Sequence, residues 1–223
     1  MKHLIRVSSA LAALLLFSGT SHAADPVAPT THDWTGVYAG IQGSYDFGQN
    51  RWSERGVPVS INYFALSGFS GGATLGVNKE IHNNIVLGLE TDISATSING
   101  TGFTSNGFSC ITAAGCQTQV GWLGTARGRI GMALDNTMPY VTGGLAVGGV
   151  SGSFVNVNTA GSGTQVGWTA GAGIEHAFSD KLSAKVEYLY TDLGRLELPT
   201  NCGTRCYTDI NFSMVRVGLN FKF

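Results

Sequence analysis

The sequence predicts an all-β fold: an eight-stranded antiparallel up-and-down transmembrane β-barrel with short periplasmic turns and four long extracellular loops. Three observations predict it. The first is the stretch Asp209 to Phe223 (DINFSMVRVGLNFKF), where Val215, Val217, Leu219, Phe221 and Phe223 are all apolar. The interleaved Met214, Arg216, Gly218, Asn220 and Lys222 are mostly polar or small, so the stretch has the period-2 alternation of a strand with two different faces. The second is that the chain stops there, on an aromatic. A bare apolar edge strand invites aggregation, so the strand must be covered or must close a barrel by pairing far upstream. The third is the rhythm of the connections, which alternate between short and long.

The elements follow in order. Trp34 to Phe47 sets Val37, Ala39, Ile41, Tyr45 and Phe47 against Tyr38, Gln42, Ser44 and Asp46. Gln49 to about Ser67 is polar and irregular and reads as a long loop. Gly68 to Glu80 alternates Ala73, Leu75 and Val77 with Thr74, Gly76 and Asn78; His82-Asn83-Asn84 is a tight turn. Ile85 to Ser94 sets Ile85, Leu87, Leu89, Thr91 and Ile93 against Gly88, Glu90 and Asp92, and Ala95 to Cys116 is a second long loop. Gln117 to Met132 carries Val120, Trp122, Ala126, Ile130 and Met132 on one face, with Gln119, Thr125, Arg127 and Arg129 on the other. Asp135-Asn136 is a short turn. Tyr140 to Val150 alternates Val141, Leu145 and Val147 with Thr142, Gly144 and Ala146, and Ser151 to Thr164 is a third loop. Gln165 to Phe178 sets Val166, Trp168, Ala170, Ala172 and Ile174 against Gln165, Thr169 and Glu175. After the turn Ser179-Asp180-Lys181, Leu182 to Asp192 sets Leu182, Ala184, Val186, Tyr188 and Tyr190 against Ser183, Lys185 and Glu187. Gly194 to Thr208 is the fourth long loop, and the last strand follows. Each strand is expected to be about ten residues or a little more, enough to cross a bilayer at a steep tilt. A soluble sandwich also alternates, but it seldom has such regular short and long connections.

The N-terminus reads as an export signal. Lys2 and Arg6 form a positive region, Ala10 to Phe17 a short apolar one, and Ser21-His22-Ala23 a small-residue cleavage site. The expected organisation is therefore a signal peptide over 1–23, cleaved after Ala23, a periplasmic leader over 24–33 and the barrel domain over 34–223. The apolar run is well short of the roughly 20 residues of a membrane-spanning helix. Only 12% of the chain is charged, against about 25% in ordinary domains. Yet 43% is hydrophobic and 10% aromatic, which excludes a disordered chain. A net charge of −1 and the lack of a Lys/Arg tract point away from a nucleic-acid partner.

Four cysteines form two close pairs, Cys110 with Cys116 and Cys202 with Cys206. No His lies near either, and in an exported protein two local disulfides at loop tips are expected rather than zinc. Cross-loop pairing stays open.

Gly68 to Ser94 (GFSGGATLGVNKEIHNNIVLGLETDIS), Gly124 to Gly149 (GTARGRIGMALDNTMPYVTGGLAVGG) and the terminal VRVGLNFKF together resemble the small outer-membrane β-barrel proteins of alphaproteobacteria, the 25/31-kDa outer membrane protein or "porin family" proteins. The resemblance implies an eight-stranded surface barrel in the outer membrane linked to envelope integrity. Some relatives bind haemin, and the family brings no catalytic residues. Expected partners are outer-membrane lipid and lipopolysaccharide, the barrel-assembly machinery through the C-terminal strand, and a possible host or surface ligand via the loops.

The polar faces define the candidate site. Asp46, Glu90, Asp92, Glu175 and Glu187 share strand parity with the small residues, as do Arg127, Arg129, Lys185, Arg216 and Lys222. A lipid-facing Arg or Lys near the midplane costs about 2–4 kcal/mol, so all are expected inside the barrel. An eight-stranded barrel is just filled by its side chains. A salt-bridged plug is therefore expected in place of an open channel, with Arg127 meeting Glu90 or Asp92 and Arg216 meeting Glu187. Phe221 and Phe223 belong to the closing strand. Interfacial aromatics are expected in two girdles: Tyr45, Phe47, Trp122, Trp168, Tyr188 and Tyr190 toward the loops, and Trp34, Phe178, Phe221 and Phe223 toward the turns.

An enzyme acting on outer-leaflet lipid needs a base at the outer rim, whereas His32, His82 and His176 all fall at the turn end, so no enzymatic activity is expected. No nucleotide motif is present and no cofactor is expected; Tyr63 or Tyr207 are the best axial candidates the loops offer a haem. The function expected is a structural surface barrel, the alternative a small-solute porin or a haemin- or ligand-binding barrel.

Overall fold

In the computed structural model, residues 32–54, 61–81, 84–102, 116–154, 160–198 and 206–223 are described. They form eight strands: β1 (Gly36–Glu54), β2 (Ile61–Ile81), β3 (Ile85–Gly102), β4 (Cys116–Met132), β5 (Thr137–Phe154), β6 (Ala160–Ala177), β7 (Leu182–Leu198) and β8 (Cys206–Lys222). Each pairs antiparallel with its sequence neighbour, and β1 pairs with β8 to close the barrel. That seam runs from Tyr38↔Lys222 to Glu54↔Cys206, with Ile41 opposite Leu219 and Ala39 opposite Phe221. Past it, the Phe223 amide donates to the Val37 carbonyl at 3.0 Å. Closure leaves no bare sheet margin, the requirement of any sheet standing in hydrocarbon.

The alternation does what a membrane wall needs. Val37, Ile41, Tyr45 and Phe47 of β1 face outward, as do Leu87, Leu89 and Ile93 of β3 and Val215, Val217, Leu219 and Phe221 of β8. The outward residues form an apolar band about ten residues tall along each strand, the crossing length of a tilted strand. The strands themselves are longer than expected, between 17 and 21 residues. The stretches read as long loops are in large part paired strand: Gln49 lies opposite Ala65, Asn99 opposite Gln119 and Ser151 opposite Ser162. In these extensions the polarity inverts. Asn99, Thr101, Gln119 and Arg51 face out, while Ile98, Val120, Leu196, Ile210 and Phe212 face in. Above the lipid band the wall thus resembles a soluble barrel, polar outside and apolar inside.

Three irregularities sit at this change of polarity, at Ala95/Ile98, Val120/Trp122 and Asp192/Arg195. A β-bulge adds one residue to one strand and re-aims the side chains beyond it. That corrects one expectation: Val120 does not share the lipid face of Trp122. Gly121 and Trp122 both face out across the bulge, so Val120 turns inward and is fully buried. A second correction concerns Trp34, expected in the lower girdle. It shares the parity of Tyr38 and Gln42, and is buried in the lumen at the turn end. The other girdle aromatics face outward or are half-buried. Phe69, not expected there, joins them with its ring 5.2 Å from Tyr45.

At the turn end, Asn84 (φ 61°) and Asp135 (φ 52°) supply the left-handed conformations that tight turns use. Residues 1–31, which include the expected cleavage site and most of the leader, lie outside the described residues. So do Cys110 and Cys202 and the side chains of Cys116 and Cys206, and with them the expected disulfides.

Replacing Val217, outward at the middle of β8, by Arg is expected to lower unfolding stability in lipid vesicles by about 2–4 kcal/mol. Thr101→Arg, outward above the apolar band, is expected to stay within about 0.5 kcal/mol. Urea titrations followed by tryptophan fluorescence make the comparison.

Candidate functional site: the ionic layer in the lumen

The lumen is stacked in layers, and the charged one lies between two apolar ones. At the turn end Trp34, Val86, Ala133, Met138, Tyr140 and Ala177 form one buried cluster. Toward the loops a larger cluster includes Phe64, Leu66, Leu123, Leu189, Leu193 and Phe212. Between them β3, β4 and β7 each send in two charged side chains at alternate positions, and β6 and β8 one each, where small residues on neighbouring strands leave the room. Gly76 is one such position: a Cβ there would lie 2.3 Å from the Tyr38 ring carbon that bears the hydroxyl.

The layer holds Glu90, Asp92, Glu175 and Glu187 with Arg127, Arg129, Lys185 and Arg216, each 5% exposed or less. Four acids and four bases make it formally neutral. Arg127 sits at the centre: its Nη2 donates to Glu90 Oε1 at 2.6 Å and Asp92 Oδ2 at 3.2 Å, and its Nη1 to Glu187 Oε1 at 2.8 Å. Lys185 Nζ reaches both Glu90 oxygens at 2.7 Å. Arg129 Nη2 donates to Glu175 Oε2 at 2.6 Å, and its guanidinium carbon lies 4.0 Å from the centre of the Tyr140 ring. Arg216 Nη1 lies 3.2 Å from Asp92 Oδ2 and 3.7 Å from Glu187 Oε2.

Neutral groups brace the ions. The Tyr38 hydroxyl donates to Glu90 Oε2 at 2.6 Å and accepts from Arg129 Nη1 at 2.9 Å. Ser183 Oγ and Asn220 Nδ2 donate to Glu175 Oε1 at 2.6 and 2.8 Å. Buried charge is tolerated when paired and multiply hydrogen-bonded; seven of these ions have more than one partner, and Lys185 holds both oxygens of Glu90. The layer ties β3, β4, β6, β7 and β8 together across the barrel, where the backbone ladder joins neighbours alone.

The structure brings Glu90, Asp92, Arg127, Arg129, Glu175, Lys185, Glu187 and Arg216 into one network. Two other expected lumen charges stand outside it. Asp46 is buried, and accepts from Ser44 Oγ at 3.0 Å and from Ser70 Oγ. Lys222 donates to the Asp33 carbonyl at the turn end. Phe221 and Phe223 lie on the closing strand, their rings 5.6 Å apart. Sequence reasoning missed the two apolar clusters and a polar rung near the loops, where Asn50 Nδ2 donates to Thr118 Oγ1 at 2.6 Å and Thr208 Oγ1 to Asn50 Oδ1 at 2.7 Å. The signal for these was present: Ile210, Phe212 and Met214 are apolar at the parity that carries Arg216 lower down. His32 and His176 lie at the turn end, and His82 is outside the described residues, as are the side chains of Tyr63 and Tyr207.

Comparisons with known proteins agree with this architecture. The family description "Outer membrane protein beta-barrel domain" matches residues 9–223. The chain is 38% identical to the 31 kDa outer-membrane immunogenic protein of Brucella melitensis biotype 1, over 93% of this chain and 95% of that protein. It is 30% identical to the 25 kDa outer-membrane immunogenic protein of Brucella abortus biovar 1, over 100% of this chain and 99% of that one. Among solved structures, the outer membrane protein OprG from Pseudomonas aeruginosa shares the fold, with a TM-score of 0.55 at 9% identity, covering 86% of this chain and 98% of that chain.

Glu90→Gln leaves Lys185 and Arg127 short of a buried counter-charge, and breaking such a pair costs about 3–5 kcal/mol. Arg195→Ala removes an exposed pair with Asp209, worth less than about 1 kcal/mol. Chemical unfolding in lipid is expected to rank the two in that order by a wide margin.

Proposed function

The chain belongs to the outer membrane protein β-barrel family, and from that premise we propose that it serves as a non-conducting structural barrel of the outer membrane, presenting its loop end at the cell surface. The observation that carries this reading is the layered lumen, an ionic network held between two buried apolar clusters. A hydrated solute moving along the axis would have to part phenylalanine and leucine side chains at one level and ion pairs at the next. Neither step is cheap: the first opens a cavity of several methyl groups and the second strands buried charge.

The orientation follows from barrel architecture, in which short turns face the periplasm and longer connections the exterior. Relatives named outer-membrane immunogenic proteins support exposure of the loop end. An export signal cleaved after Ala23 fits the same route. We propose disulfides at Cys110–Cys116 and Cys202–Cys206, contacts with outer-membrane lipid and lipopolysaccharide, and recognition of β8 by the barrel-assembly machinery. Host or surface ligands would meet the loops. The layer's Arg, Lys, Glu and Asp side chains are engaged with one another, so we assign them a supporting role and no reaction.

Purified protein reconstituted in planar bilayers is expected to give no steady conductance, and its vesicles no swelling in small sugars. A large, stable conductance from the wild type would contradict the proposal and favour the porin alternative.

A further inference from the structure

The bulge in β7 builds a feature on the outer wall that the sealed lumen does not use. Between Asp192, opposite Asn211, and Arg195, opposite Asp209, β7 spends one residue more than β8. Gly194 takes the extra step at φ 72°, in the left-handed region, and its amide donates to Asp192 Oδ1 at 2.7 Å. The extra residue reverses the facing of the strand. Leu196 turns into the lumen and Arg195 comes to the outside. There its Nε donates to Asp209 Oδ1 at 2.7 Å and its Nη2 to Asp209 Oδ2 at 3.3 Å. Gln49, Arg51, Asp192, Gly194 and Asn211 complete the walls of a cavity of about 640 Å³ with this pair. Arg51 faces outward from β1, directly opposite Asp209 of β8, whose carboxylate is engaged by Arg195.

The height of this notch is informative. On β1, Gln49 and Arg51 are the next outward residues above Phe47. On β8, Asn211 and Asp209 stand above Ser213 and Val215. On the neighbouring β6, Trp168 lies directly opposite Asp192, its ring 5.4 Å from Tyr190. Aromatic side chains mark the membrane–water interface, so the notch opens at the level of the headgroups, with apolar wall beneath it. A planar guanidinium is the side chain best matched to phosphate oxygens. The Arg195–Asp209 pair holds one wall in place, and the Asp192, Asn211 and Gln49 groups suit sugar hydroxyls.

We propose that this notch seats the phosphorylated sugar headgroup of an outer-leaflet glycolipid, with Arg51 on a phosphate and the acyl chains against the aromatic wall below. A soluble phosphate would occupy a small part of the cavity and none of that wall. The inference rests on the outward orientation of the loop end, but not on the lumen being closed.

The test uses the full chain in detergent micelles doped with diphosphorylated glucosamine-disaccharide lipid (lipid A), counting lipids retained by native mass spectrometry. The wild type is expected to retain it and to discriminate against the dephosphorylated lipid. Arg51→Ala is expected to lower the retained fraction about tenfold, the scale of one charge-assisted hydrogen bond. Arg51→Lys should recover part of the loss, and Lys181→Ala, at the turn end, should change nothing. A difference in gel mobility between heated and unheated samples, expected of a folded barrel, checks in each variant that the barrel still folds. Equal retention by Arg51→Ala, equal retention of the dephosphorylated lipid, or displacement by equimolar inorganic phosphate would each overturn the proposal. Conductance by a wild type that still retains the lipid would instead contradict the sealed lumen alone.

Discussion

Hydrocarbon offers the backbone no hydrogen-bond partner, so a sheet that stands in it must close. The pairing of β1 with β8 satisfies that demand, and every other feature of this chain presupposes it. Closure fixes an inside and an outside; the outside at membrane height can only be apolar, and the inside must hold whatever else the sequence carries. An interior as narrow as eight strands allow has no room for a shell of water around each ion. The charges are therefore driven onto one another, and the result is a network in which Arg127 and Glu90 each meet several partners.

The same constraint is relaxed above the lipid, and the wall changes accordingly. Once the outer surface meets water, polar residues such as Asn99 and Gln119 can face out and apolar ones can retreat inward. The apolar cluster that results caps the ionic layer and keeps it away from the solvent at the loop end. Bulges at this level are the joints between the two regimes, and the one in β7 brings Arg195 to the outer wall. One geometric device thus shapes both surfaces: the inversion that lines the upper lumen with apolar side chains also sets polar ones on the outer wall above the apolar band.

Within the lipid band the sequence was highly legible. There the face of each residue is dictated by its solvent, so parity alone separates Val215, Val217 and Leu219 from Arg216 and separates Leu89 from Glu90. Partners across neighbouring strands, such as Arg127 with Glu90, follow from strand order. The contact between Arg127 and Glu187 crosses the barrel from β4 to β7 and could not be read from neighbour relations. Legibility also failed at the bulges, since one inserted residue silently reverses parity and moved Val120 indoors. Trp34 was misplaced by its bulk: a large aromatic beside a terminus suggests a girdle, but parity with Tyr38 points it into the lumen. The upper strands read as loops because they are rich in Asn, Gly and Ser, of which Asn and Gly are poor strand formers and all three are favoured in turns. Their pairing depends on the closed sheet below, a tertiary condition that local composition does not announce.

The most direct test of this account is a cross-link across the closing seam. In a background with the four native cysteines changed to serine, Ile41→Cys and Leu219→Cys place two thiols on directly opposed outward positions of β1 and β8, within the reach of a disulfide. Membrane-extracted protein run without reductant is expected to carry this cross-link almost completely. A control with Ile41→Cys and Leu145→Cys, on non-adjacent strands, should carry none. A folded, membrane-inserted protein that fails to link residues 41 and 219 would contradict the closed barrel and everything built on it.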